Sequence, residues 1–143
     1  MDAFQQLVIE AECAGLMLRF FRALDERDHT ACAELMADDG VWERTGTSLR
    51  GSAQVREALD QRAPGRRTCH SISSVIATVL DERHCRVQFF LTAYEGKEGA
   101  DAQPPIARLA GIRSCIDEME LTGRGWRIAS KTSKPVFAGP PAT

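Results

Sequence analysis

Residues 20–43, FFRALDERDHTACAELMADDGVWE, decide the fold, because one long helix ends within them, a short one begins, and the chain then turns to strands. Upstream, Phe4, Leu7, Ala11, Ala14, Leu18 and Phe21 recur at steps of three and four, the stripe of an amphipathic helix. Asp28 is placed to cap a second helix running through Ala31, Leu35 and Met36, since a short acidic side chain accepts from free amide groups at a helix start. ADDG is expected to end that helix, with Gly40 as the left-handed residue after it.

Downstream, VWERTGTSLRG predicts two short extended pieces around Gly46, and SAQVREALDQR a third helix that Ser52 can cap and APGRR breaks. TCHSISSVIATVL and CRVQFFLTAY are rich in β-branched and aromatic residues and flank the polar turn DERH, so they predict a hairpin. A Gly, Asp and Pro loop leads to a strand from about Ile106 to Leu121, which TGRG turns into WRIASKT. Helices followed by a strand meander predict an α+β domain, helices covering one face of a curved antiparallel sheet. The whole chain, 1–143, is expected to be one domain, with residues 135–143 a loose C-terminal tail.

Composition narrows the function classes. A net charge of -2 gives no general field for nucleic acid, and no apolar run reaches membrane-spanning length. Asp2, Glu10 and Glu12 stand where a signal peptide would have a basic start, so a cytoplasmic location is expected. The five cysteines are odd in number and scattered, without a C-x-x-C pair, and are read as mostly buried thiols. Cys69-His70 and His84-Cys85 resemble mirrored zinc half-sites. A tight hairpin, however, would set Cys69 opposite Tyr94 and hold His84 at the turn, so the four groups would not converge.

Two residues stand out for chemistry. Asp25, four positions after Phe21, returns to the same helix face, where a carboxylate must find a donor or act as an acid or base. The alternative is a helix frayed at Asp25, leaving the carboxylate in water. His70 shares one face of its strand with Ile72, Ser74 and Ile76 under strict alternation and would stand among apolar neighbours. Cys69 would then point the other way, which separates the thiol from the imidazole.

The opening stretch, with LRGSAQVREAL (residues 49–59), RTCHSISSV (67–75) and GRGWRIASK (123–131), resembles the nuclear transport factor 2-like superfamily. Its SnoaL-like branch, which includes scytalone dehydratase, bile acid 7-alpha-dehydratase and lindane dehydrochlorinase, is the most similar, over about Gln5 to Lys134. The resemblance implies a cone-shaped α+β barrel, three N-terminal helices packed on a curved antiparallel sheet that encloses a mostly apolar pocket. It also implies a homodimer or higher homo-oligomer through the sheet face. The family's catalytic aspartate and histidine match Asp25 and His70, a dyad that would need no cofactor and no metal.

Some positions depart from that pattern. Where several catalytic relatives carry a tyrosine or lysine, five residues before the aspartate, this chain has Phe20. The acid used by steroid isomerases would fall near Arg44, so that activity is set aside. Cys69 and Ser74 replace an arginine and an asparagine common in relatives, and no second histidine occurs among Phe89, Phe90, Leu91 and Thr92. Phe20, Phe21, Leu24, Trp42, Ile72 and Ser114 are expected to line the pocket. Lys131 is expected to be solvated, and RAPGRR to be a solvated basic turn that could guide an anion. The leading expectation is a cofactor-independent lyase or isomerase, dehydratase- or cyclase-like, acting on a small apolar polyketide, steroid, terpenoid or aromatic molecule. A non-catalytic small-molecule binder, and a subunit resembling the small subunit of ring-hydroxylating dioxygenases, are the alternatives.

Overall fold

A computed structural model describes residues 1–141. The order is α1 (Ala3–Asp25), α2 (His29–Glu34), β1 (Met36–Arg44), β2 (Thr47–Arg50), α3 (Gly51–Asp60), β3 (Arg66–Asp81), β4 (His84–Lys97), β5 (Arg108–Thr122) and β6 (Gly125–Ala138). The strands form one unclosed sheet in the order β2-β1-β6-β5-β4-β3, and the three helices pack against it in an α+β architecture. The sheet is antiparallel except where β1 runs parallel to β6.

Asp2 starts α1 through a capping box with Gln5. The buried face is Cys13, Leu16, Met17, Phe20, Phe21 and Leu24, while Phe4, Leu7 and Leu18 are exposed. The helical period is as expected but its phase is not. Apolar residues occur all round this helix, so tertiary packing selects the face. That face meets Val87, Phe89, Met119, Trp126 and Ile128 from the sheet, each fully buried side chain contributing about 1.5–3 kcal/mol.

α1 does not fray at Asp25. Arg27 N–H donates to Leu24 O at 3.2 Å and Asp28 N–H to Ala23 O at 2.9 Å, the two bonds of a Schellman turn with Arg27 at φ 62° in the left-handed position. Asp28 then caps α2, as expected, by accepting from the Ala31 N–H. α2 stops at Glu34, and ADDG belongs to β1 instead of ending a helix. Gly40 is needed there because a Cβ would lie 2.5 Å from the Ile128 carbonyl oxygen, in the irregular stretch between the Met36 and Val41 pairs with β6. Arg50, not Ser52, is the N-cap of α3, and it makes no side-chain cap bond. His29, at the start of α2, is largely covered and lies 2.7 Å from Asp60 through Nδ1.

The β3–β4 hairpin has the expected partners, Cys69 opposite Tyr94 and His84 opposite Asp81. Strict alternation along β3 fails at Ser74, whose φ is 53°. Between the Ser73–Phe90 and Ile76–Gln88 pairs β3 carries one extra residue, so Ile76 faces out and Ala77 and Val79 pack inward. Residues 135–138, expected in a loose tail, continue β6, with Pro135 opposite Arg113 and Ala138 opposite Gly111. Beyond Lys131 the β1 pairing has ended, so an edge is open where a proline loses no ladder bond. The last two residues of that expected tail, 142–143, lie outside the described part.

Candidate active site

The Schellman turn leaves Asp25 in the last turn of α1, facing the first residues of β3. Asp25 Oδ1 accepts from Thr68 Oγ1 at 2.8 Å and lies 2.6 Å from His70 Nδ1, while Oδ2 accepts from the His70 backbone N–H at 2.8 Å. An ionised carboxylate only accepts, so the imidazole proton sits on Nδ1 and Nε2 remains an acceptor. Burial pushes the Asp25 carboxyl up, but bonds from the His70 ring and backbone, the His70 charge and the Thr68 hydroxyl outweigh it and hold the group below its ordinary value. Arg27 fixes the approach to β3 by donating to the carbonyls of Pro64 at 2.8 Å and Arg66 at 2.7 Å.

His70 opens onto a cavity of about 350 Å³ walled by α1, β1 and β3–β6. Phe21, Leu24 and Trp42 line it as expected. Phe20, Ile72 and Ser114 do not. Phe20 lies behind the wall, wholly buried and edge-on to Trp42 at 5.2 Å. Ile72 packs against the core, and Ser114 is exposed because Arg113, Cys115 and Asp117 take the inward parity of β5. The lining is also more polar than expected, with Arg44, Arg66, Arg113, Asp117, Lys131 and Ser133 among it.

Lys131 is the largest departure from the sequence reading. It is buried, with Nζ 2.7 Å from Asp117 Oδ2 and 4.2 Å and 4.7 Å from the ring centroids of Phe20 and Phe21. Aromatic faces attract a cation and a carboxylate neutralises it, so this ammonium sits inside the protein beside the same Phe21 ring that lies 5.3 Å from the His70 ring. Burial pushes the Asp117 carboxyl up against the pull of Lys131. Asp117 escaped sequence reading, although its position two residues from both Cys115 and Met119 placed it on an inward face.

Cys115 and Cys32 are poor nucleophiles. Burial pushes Cys115, in the cavity wall, up to about 11 and Cys32 up to about 12, so both stay protonated near neutrality. Cys69 is exposed on the face opposite His70. Among the described residues, no three His, Cys, Asp or Glu side chains gather as a metal site, and no helix is long and apolar enough to cross a membrane.

The model of one family, the SnoaL-like domain, matches residues 5–132. No curated protein matches by sequence. Among solved structures, a hexachlorocyclohexane dehydrochlorinase (LinA) Type2 is similar with a TM-score of 0.82 and 13% identity, covering 99% of this chain and 95% of that one. The LinA-type3 enzyme from Novosphingobium barchaimii LL02 is similar with a TM-score of 0.81 and 12% identity, over 99% and 97% of the two chains. An NTF2-like protein with a cystatin-like fold from Novosphingobium aromaticivorans gives a TM-score of 0.74 and 17% identity, over 91% and 84%. At such identities the likeness is one of fold.

Proposed function

This chain belongs to the SnoaL-like domain family, and on that premise we propose that it is a cofactor-independent lyase or isomerase acting on a small molecule with an apolar body. The observation that carries the reading is the Asp25–His70 pair on the wall of a cavity of ligand size. Asp25 orients the ring and stabilises the imidazolium. His70 Nε2 takes a proton from a carbon next to an activating group, the electron pair of that C–H bond forms a double bond, and the bond to a β-leaving group breaks. A hydroxyl leaves as water after accepting a proton, and a halide leaves as the anion.

The resemblance implies an electrophile at the position of Phe20 in several catalytic relatives, and here the Lys131 ammonium lies against the Phe20 ring. Lys131 is assigned the part of polarising the activating group or protonating the departing one. That the LinA structures are of dehydrochlorinases supports a lyase reading for a chain of the same fold. Exposed Phe90, Tyr94, Val136 and Phe137 on the outer side of the sheet support a homo-oligomer through that face. The test is deuterium incorporation or elimination, followed by NMR in D₂O on a panel of β-hydroxy ketones and β-chloro ketones. Activity that His70→Ala and Asp25→Asn abolish while remaining folded supports the mechanism, and wild-type rates in both variants overturn it.

A further inference from the structure

We infer that the substrate carries a carboxylate, which Arg44 and Arg113 hold at the mouth of the cavity with Arg66 beside them. The inference rests on the function proposed above and adds the substrate's charge to it.

Three strands bring these side chains to one cavity: Arg44 from β1, Arg66 from β3 and Arg113 from β5. Their surroundings leave the charge largely unanswered. Arg44 lies over the Trp42 ring at 5.0 Å from its centroid, and among the described residues it has no carboxylate partner. A cation–π contact of this kind holds the guanidinium beside the ring and uses none of its N–H groups, which stay free for a bidentate carboxylate. Arg113 donates through Nε to Ser133 Oγ at 2.7 Å and through Nη2 to the Ser133 carbonyl at 3.4 Å, which orients it and leaves Nη1 unengaged. Arg66 pairs with Glu95 at 3.2 Å, an acid it shares with Arg108.

Among the described residues neither acid of the lining pairs with these three guanidinium groups: Asp117 is bound to Lys131, and Glu43, still charged, accepts from Ser48. Burial, then the charge of Arg66, holds the Arg44 guanidinium below its ordinary value, so like charges are crowded there at some cost to the folded state. A chain with a net charge of -2 has gathered Arg44, Arg66, Arg113 and Lys131 around one cavity. An anion seated among them relieves the repulsion, and the apolar wall of Phe21, Leu24, Phe89 and Leu91 takes the uncharged body of the same molecule.

The test uses 2-naphthoate and its neutral counterpart 2-naphthamide, with affinities measured by calorimetry on the full chain at low and high salt. The acid is expected to bind at least about tenfold more tightly than the amide, an advantage that shrinks with salt. Arg44→Gln and Arg113→Gln, checked for fold by circular dichroism, each lose about tenfold for the acid and keep the amide affinity. His70→Ala keeps the preference for the acid while losing turnover, so the charge assignment and the dyad fail separately. Equal binding of the two probes, binding of neither at millimolar concentration, or arginine variants that weaken both probes alike overturns the assignment.

Discussion

Asp25 holds His70 twice, through the ring nitrogen at 2.6 Å and through the backbone N–H at 2.8 Å. The second bond belongs to the main chain, so the carboxylate sets the position of the strand start as well as the ring tautomer. A helix end and a strand start are thereby joined at the residue proposed to move the proton.

Removing either member should therefore have unequal structural effects. His70→Ala keeps the Asp25 bonds to Thr68 and the main chain, and turnover is expected to fall by about 10²- to 10⁴-fold with a small loss of stability. Asp25→Asn loses the fixed tautomer and should fall within the same range, with a larger drop in melting temperature. Steady-state rates and thermal unfolding of both variants check this.

Acid sensitivity follows from the lowered Asp25 carboxyl. Its stabilising contribution is fully present above the unfolded value of about 3.9 and is lost as pH falls through the lower folded value. Asp117 acts in the opposite sense: its raised folded value keeps the proton on while the unfolded chain has released it, so stability falls as pH rises from about 3.9 toward that value. Urea unfolding between acid and neutral pH should show Asp25→Asn losing less stability than wild type on acidification.

The Lys131–Asp117 pair should respond to single and double replacement differently. Asp117→Leu or Lys131→Met alone strands a buried charge and is expected to cost about 3–5 kcal/mol. The double variant recovers most of that stability, since an apolar pair suits the Phe20 and Phe21 surroundings, yet it stays inactive because the ammonium is gone. Denaturant unfolding and turnover of all three variants separate the two roles.

Ser74 holds a left-handed conformation without a hydrogen bond from its hydroxyl among the described residues. Ser74→Gly should remove a strain of about 1–2 kcal/mol, offset in part by the freedom of glycine when unfolded. A net gain of up to about 1 kcal/mol by urea unfolding is expected, with the dyad geometry and turnover unchanged.

The inward face of Asp25 and the hairpin were legible because each rests on local pattern: the periodicity that carries Phe21 to Asp25, and apolar strands on both sides of DERH. Side-chain direction was not legible where pairing shifts. One residue of parity separates exposed Ser114 from inward Arg113 and Cys115, and the irregularity in β5–β6 pairing at Ile112 and Arg113 lies beside them. Lys131 was misread for another reason. A lysine near a strand end is usually solvated, and only the fold brings Asp117 and two phenylalanine rings around it. The phase of α1 was hidden likewise, since Phe4 and Leu7 look as fit for burial as Leu16 and Met17 until the sheet takes its place.

The extra residue at Ser74 is dispensable by count. Deleting it would leave His70 opposite Ala93 and Val79 opposite Cys85, with every inward side chain still inward. What the strand would lose is a bend, because a bulge sharpens local twist where a regular ladder runs straighter. The hairpin is then expected to lie flatter past Phe89, which lines the cavity. The shape of that wall is thus expected to depend on strand length as well as on the side chains that face it.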